Sequence, residues 1–441
     1  MRGLLARWSV LGGLAGAPPV VRLLVLTQLA FNVGFYLVVP FLAVHLLDDL
    51  ALAGWLVGLV LGLRTASQQG LFIVGGALAD RWGTRPVVLL GCGTRVVGFV
   101  VLGLATSLPG VLVGAMLTGV AAAMFSPAVE SALAVEAAVL ERAGTTTRSD
   151  VFALFAVAGE VGAVTGPALG AVLLAVGGTA GFPTACLVAA GVFVVVLLTH
   201  ARLLPRRPAP HAADGIFRGW TEVARNRPFV LFALGWSAYL LCYNQLYLLL
   251  PASLTASTGS AAAVGWLFAL AAVLIVVGQV PTTRWARRRL GPTRAVVTGM
   301  ALLAAAFVVP GVLTLLPGPA LAPAVALVVL LTAGQVLAVP FGQELVARLA
   351  GERRLGTYYG ALASAGGVAV LLGSVATGLL VPLLGRDGPA GAAPFLVVAL
   401  VPFAGAVLLA SLARRGRLDP ALEPAVPEPS VPEPSNEEVQ A

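Results

Sequence analysis

Long apolar runs, separated by short polar or glycine- and proline-containing links, alternate along almost the whole chain. A membrane-spanning helix takes about 20 predominantly apolar residues. Twelve stretches meet that requirement, at 22–46, 53–79, 86–107, 109–136, 150–176, 182–204, 229–254, 261–285, 293–315, 321–348, 356–384 and 391–413. The polar segment LPRRPAPHAADGIFRGWTEVARNRP follows the sixth stretch and divides the twelve into two sets of six. The pattern predicts an all-α membrane protein with 12 transmembrane helices. An N-terminal six-helix bundle covers 1–204, a central loop 205–228 and a C-terminal six-helix bundle 229–414. Residues 415–441 are rich in Pro and Glu and have little to bury, which predicts a disordered tail.

Composition supports the membrane reading. The chain is 59% hydrophobic and 10% charged, against about 45–50% and about 25% in soluble domains. Its mean hydropathy is +0.97. All 27 basic Lys/Arg positions are arginine. In a soluble chain that excess would suggest nucleic acid; in a membrane chain it marks the cytoplasmic loops. With both termini cytoplasmic, Arg64 and Arg95 fall inside helices and Arg386 on the outer side, and the remaining arginines collect at the cytoplasmic face. The outer links SLPG, VGGTAGFP, LTASTGS and LLPGPALAP carry no charge. The expected environment is a bacterial inner (cytoplasmic) membrane, crossed many times, with no nucleic-acid partner. The first 21 residues lack a small-residue cleavage site and read as a lead into the first helix, not a signal peptide. Cys92, Cys186 and Cys242 lie in apolar runs and imply no disulfide framework.

The two halves echo each other. DRWGTRPVVLLG at 80–91 returns as RRRLGPTRAVVTG at 287–299, each after an even-numbered helix. FSPAVESALAV with its LERAGTTTR loop returns as VPFGQELVARLAGERRLGTYYG, again Pro, then Glu, then a Glu-Arg loop. Six-plus-six internal repetition is a property of secondary transporters.

Ionisable groups inside membrane helices are costly and are functional candidates by default. Glu160 falls about 15 Å into the fifth helix, where low-dielectric surroundings disfavour a bare carboxylate. It is the leading candidate to carry a proton or to hold a cationic drug, the alternative being a structural hydrogen bond to a neighbouring helix. Arg64, near the middle of the second helix, cannot shed its charge and needs a partner or the central cavity. Glu160 or Glu130 is the expected counter-charge. Glu130 and Glu344 follow prolines near the cytoplasmic ends of helices four and ten and read first as gate or hydrogen-bonding residues, second as proton carriers. Arg95 in the third helix reads as structural. Asn32 and Tyr36, Gln68, and Tyr239, Tyr243 and Asn244 are candidates to line a cavity; residues one turn apart share a helix face. Glycines around Gly58 and Gly62 read as helix packing. No metal cluster, phosphate loop or nucleophile triad appears, so no enzyme activity is expected.

The twelve spans, the central loop and the stretch GGALADRWGTRP together resemble the major facilitator superfamily. That family's loop between helices two and three matches Gly76, Leu78, Asp80, Arg81, Gly83 and Arg85 here, with Thr84 and Pro86 departing from it. AGEVGAVTGPALG is similar to the antiporters' helix-five element at Gly162, Gly166, Pro167 and Gly170. QLAFNVGFYLVVPFLAVHL with Pro40 looks like the first helix of drug:proton antiporters. GLRTASQQGLFIVGGALADRWG, with Arg64, Gln68, Gln69 and Gly70, resembles the helix-two pattern of MdtH-type multidrug exporters, and VPFGQELVARLAGERRLGTYYG, with Pro340 and Glu344, their helix-ten pattern. The resemblance implies a secondary transporter working by alternating access, with proton-coupled efflux of amphipathic drug-like molecules. It implies a monomer, no cofactor beyond the proton gradient, an Asp80 loop that latches the inner gate against helix eleven, and a helix-five element shaping the interface between halves. A narrow-substrate exporter or symporter, or a non-transporting sensor or scaffold, are the alternatives. Many relatives carry an arginine in helix four, four residues before a glycine; here Ala115 precedes Gly119, so that assignment does not transfer.

Overall fold

The structure is a computed structural model that describes residues 17–145, 148–205, 220–260, 263–350 and 355–418. Most of the expected central loop and the tail from 419 onward lie outside the described residues, as does the side chain of Asp80.

Among the described residues the fold is helical throughout. Six helices form the first half: α1 (Pro19–Val44, extended by a π turn His45–Asp49), α2 (Gly54–Trp82), α3 (Thr84–Leu104), α4 (Leu108–Arg142), α5 (Arg148–Gly177) and α6 (Gly181–Leu203). The second half contains α7 (Arg227–Thr258), α8 (Ala263–Arg289), α9 (Gly291–Leu313), α10 (Ala322–Leu349), α11 (Leu355–Leu380) and α12 (Pro389–Arg414). Among the described residues, eleven of these are both long and apolar enough to cross a bilayer. The twelfth, α2, has 29 residues, about 43 Å at 1.5 Å per residue. It carries the polar run Arg64, Thr65, Ser67, Gln68 and Gln69.

Prolines and glycines shape the bundle as the sequence suggests. Pro127 and Pro340 lie inside the equivalent helices α4 and α10. Gly83 and Gly291 open α3 and α9 with positive φ, 85° and 71°, a conformation open mainly to glycine. These matched turns express the repeated sequence as repeated geometry.

α7 departs from the expectation of a continuous helix. It breaks at 245–248 into Arg227–Asn244 and Leu249–Thr258. Pro251 supplies the reason: it has no N–H for the Tyr247 carbonyl four residues earlier, and its ring crowds that carbonyl. Tighter bonds such as Leu246 N–H to Tyr243 O (3.2 Å) and Tyr247 N–H to Asn244 O (3.0 Å) take over. The break is buried in protein, with Leu246, Tyr247 and Leu248 at most 3% exposed. Only there is irregular backbone tolerated at membrane depth.

The halves meet along α2 and α11. A methyl placed on Gly62 would lie 2.8 Å from Leu371 Cα, and one on Gly58 2.6 Å from the Ser374 carbonyl carbon. Such backbone-to-backbone approach is how small residues join membrane helices. Gly367 continues the seam to Gln69 near the middle of α2. On the other flank, α5 meets α8 where Pro167 faces Gly265. One apolar cluster spans both halves and takes from the first half residues nearer the charge-poor side, such as Leu42, Val57 and Val111. The arginine-rich ends of the first half form a separate cluster around Val88, Phe125 and Val129. The packing that holds the halves together is therefore concentrated away from the arginine-rich side. The outer surface is apolar, with Val176 84% and Trp266 80% exposed, as lipid contact requires.

Candidate central cavity

A cavity of about 200 Å³ lies where α1, α2 and α4 of the first half face α7 of the second. Its walls include Asn32, Tyr36, Arg64, Thr65, Gln68, Gln69, Tyr243, Asn244 and Tyr247.

The helix-five element positions the α1 wall. Methyl groups on Gly162 and Gly166 would come within 2.6 Å of Asn32 Cβ and 2.7 Å of Tyr36 Cβ, and Gly170 backs onto Phe41 in the same way. These glycines thus pack α5 onto α1 inside the first half. Pro167 of the element faces Gly265 of the other half. Held in this way, Tyr36 extends its hydroxyl to within 3.3 Å of the Tyr243 hydroxyl across the halves. Tyr247 donates to Tyr243 at 3.5 Å.

A second polar chain crosses the interface. Arg64 Nη2 donates to Thr65 Oγ1 (2.9 Å), which donates to Asn244 Oδ1 (3.0 Å). Asn244 Nδ2 in turn donates to Ser374 Oγ at 3.1 Å. The chain joins α2 to α7 and α11 with buried partners, where each hydrogen bond counts for more than in water.

Arg64 is 4% exposed and Arg95 1%, yet among the described residues neither has a carboxylate partner. The expected pairing of Arg64 with Glu160 or Glu130 is not formed. Arg64 instead bonds Gln68 Oε1 (3.3 Å) and Thr65 and lies 5.2 Å from the Phe35 ring centre. Arg95 occupies an aromatic box, 4.3 Å from Phe31, 5.1 Å from Phe193 and 5.5 Å from both Phe35 and Phe99. Its Nη1 donates to Thr118 O at 3.3 Å. Cation–π contacts of this kind reach about 2 kcal/mol or more when desolvated, so ring faces stand in for counter-ions. Arg95 thus reaches from α3 to the backbone of α4 at Thr118, next to Gly119.

The carboxylates are dispersed. Glu160 is half-buried on α5, next to Gly159, which faces Gln28 and Asn32. It does not line the cavity and has no hydrogen-bond or ion-pair partner among the described residues. Glu130 and Glu344 each lie about 33 Å along their helices, at the arginine-rich edge. Glu130 is exposed. Glu344 pairs with Arg287 (2.9 Å) on α8 and Arg348 (2.6 Å) on its own helix. In the α2–α3 turn, Gly76 lies in the last turns of α2, Arg81 is exposed, and Arg85 donates to the Ala201 carbonyl of α6. The latch expected of Asp80 falls on a side chain outside the described residues.

Asn32, Tyr36, Gln68, Tyr243 and Asn244 are brought together in the cavity wall; Tyr239 is not. Its ring lies tilted against Trp236 instead, with the centroids 5.3 Å apart. Sequence reasoning missed Phe31, Phe35, Thr65, Gln69 and Tyr247. Tyr247 was signalled by the four-residue spacing of Tyr239 and Tyr243, and Phe31 and Phe35 repeat that spacing.

A bundle of this helix order, with a polar and aromatic cavity between two related halves, matches known proteins. The family model described as Major Facilitator Superfamily matches residues 24–255 and 238–438. The chain belongs to the major facilitator superfamily. This superfamily member is a multi-pass membrane transporter of small molecules and not an enzyme. It is 39% identical over 369 residues to an uncharacterised MFS-type transporter of Mycobacterium tuberculosis, covering 81% of this chain and 85% of the relative. It is 32% identical to the multidrug resistance protein MdtH of Cronobacter sakazakii, covering 76% of this chain and 80% of MdtH, and so is an MdtH-like member. Solved structures share its fold. The nucleoside transporter NupG superposes with a TM-score of 0.70 at 13% identity over 90% of this chain and 100% of NupG. A peptide transporter POT in complex with sulfate gives 0.71 at 16% identity over 91% and 96%.

Proposed function

We propose that this chain exports amphipathic, drug-like small molecules from the cytoplasm by alternating access, driven by the proton gradient across a bacterial inner membrane. The central observation in support is the cavity between the halves, with aromatic walls for an apolar body and a few fixed polar groups for orientation. At about 200 Å³ it is smaller than the roughly 300–1,000 Å³ that enclose drug-sized ligands. Rocking of the halves about the α2–α11 seam therefore has to widen it during the cycle. The likeness to MdtH proteins, named for multidrug resistance, supports the substrate class. The arginine-rich loops support a cytoplasmic orientation for both termini.

Glu160 is assigned the proton. It sits mid-membrane on the helix packed against the Asn32–Tyr36 wall, with no described partner to hold its charge. Protonation would relieve the cost of that charge and favour one arrangement of the halves. The chain acts as a monomer, with no cofactor other than the gradient. Accumulation of a broad drug panel in a pump-deficient host tests the proposal. Wild type should lower accumulation of some compounds, and Glu160→Gln should abolish the energy-dependent part. Unaltered efflux in Glu160→Gln would remove the proton assignment; no compound moved by wild type would remove drug export.

A further inference from the structure

Among the described residues of the cavity wall, Arg64 is the charged side chain; Arg95 stands behind Phe35, and Glu160, which acts electrostatically on Tyr36, lies outside the wall. We propose that the transported ligand carries an anionic head, a carboxylate on an aromatic or apolar body, and that Arg64 binds that head. The proposal rests on the transport reading above and names its substrate class. It also departs from the expectation of a cationic drug held by Glu160.

The donors of Arg64 carry the argument. A guanidinium offers five N–H groups. Two of them are used, by Thr65 at 2.9 Å and by Gln68 at a long 3.3 Å. Nε is buried with no partner, and the remaining N–H groups have no protein acceptor among the described residues. An always-charged group that is 4% exposed and under-bonded next to a cavity is matched by a two-oxygen anion, which a guanidinium grips with parallel bonds. Phe35 supports the guanidinium from its face at 5.2 Å, fixing the fork. Around it, Tyr36, Tyr243 and Tyr247 offer rings and hydroxyls to the rest of the ligand. A cationic ligand would face Arg64 with no opposing carboxylate among the described wall residues to repay its desolvation. The same guanidinium also begins the chain Arg64–Thr65–Asn244–Ser374. An anion that draws Arg64 away from Thr65 therefore perturbs a bond between the halves, which links binding to the rocking motion.

The test uses purified full-length protein and three probes that share one ring system: 1-naphthoate, 1-naphthamide and 1-naphthylmethylammonium, titrated calorimetrically at neutral pH. Wild type should bind naphthoate about tenfold or more tighter than naphthamide, with the ammonium weakest. Arg64→Gln should lose the preference, and Arg64→Lys should keep a reduced one, because it retains the charge without the fork. If Arg64→Gln fails to fold by thermal melting, the ranking in wild type decides alone. Equal or reversed ranking, no measurable naphthoate binding, or a preference that survives in folded Arg64→Gln each overturn the proposal. Transport in vesicles separates the two readings. Movement of naphthamide or the ammonium without naphthoate sinks the anionic head and leaves drug export standing. A failure of every probe and of the drug panel sinks drug export itself.

Discussion

If the α2–α11 seam is one of two alternative packings, filling it should move the equilibrium without touching the cavity. Gly58 is the place to do so. The Cβ of an alanine there would lie 2.6 Å from the Ser374 carbonyl carbon and 3.0 Å from Val375 Cα. Carbon atoms in good contact stand about 3.5–4.0 Å apart, so the helices must separate by roughly 1 Å. The obstacle is backbone, which cannot swing aside. Overpacking of this kind costs about 1–3 kcal/mol, equivalent to a shift of about 5- to 150-fold between two arrangements. Spin labels on cysteines introduced at the exposed positions Ala53, just before α2, and Asp387, in the link between α11 and α12, would report it by distance measurement. Cys92, Cys186 and Cys242 are all buried, so the labels go to the introduced thiols. Gly58→Ala should enlarge the long-distance population at the expense of the short one. An unchanged distribution in a folded variant would refute the view that this seam opens during the cycle.

Other changes follow from named contacts. Glu344→Gln removes two ion pairs whose arginines are 58% and 40% exposed, each worth at most about 1 kcal/mol. The expected result is a small drop in melting temperature with gradient-driven transport intact; lost transport at unchanged melting would return Glu344 to the proton path. Phe31→Leu takes the nearest ring from Arg95 and should destabilise by about 2 kcal/mol, more than Arg95→Met, which removes the buried charge altogether. Thermal melting ranks the two, and the opposite order contradicts the aromatic box. Asn244→Leu breaks the bonds to Thr65 and Ser374 and should cost about 1–3 kcal/mol. A double-mutant cycle with Thr65→Val should show coupling between the two sites; strict additivity would mean that the chain across the halves carries no energy.

The architecture was legible because it depends on local quantities. Twelve apolar stretches, glycines at 58 and 62, and a proline before a glutamate in α4 and α10 are readable one segment at a time. The bend of α7 was legible in principle, since Pro251 forbids one hydrogen bond, but where the freed backbone would relax depended on the cavity around it. Which residues line a cavity was legible in part, through one-turn spacing, and Tyr36 and Tyr243 meet there. Tyr239 has the same spacing and packs against Trp236, because a stripe of rings does not say where the neighbouring helix ends its contact. Counter-charges were the least legible. Arg64 and Arg95 are evident as buried cations, but only the three-dimensional arrangement shows that phenylalanine faces and one backbone carbonyl replace the carboxylates. Likewise the helix-five glycines read as an interface element, and geometry decided which interface.

Gradient-driven transport in reconstituted vesicles distinguishes proton-coupled export from passive exchange. Full-length protein is placed in liposomes with a fluorescent drug that the wild type exports from cells, and a pH step is applied across the membrane. Wild type should move the drug against its own gradient, with protons moving in the opposite direction. Glu160→Gln should exchange drug down its gradient but show no response to the pH step. Drug movement that is indifferent to the pH step in wild type, or that responds to it equally in Glu160→Gln, would contradict proton coupling through Glu160.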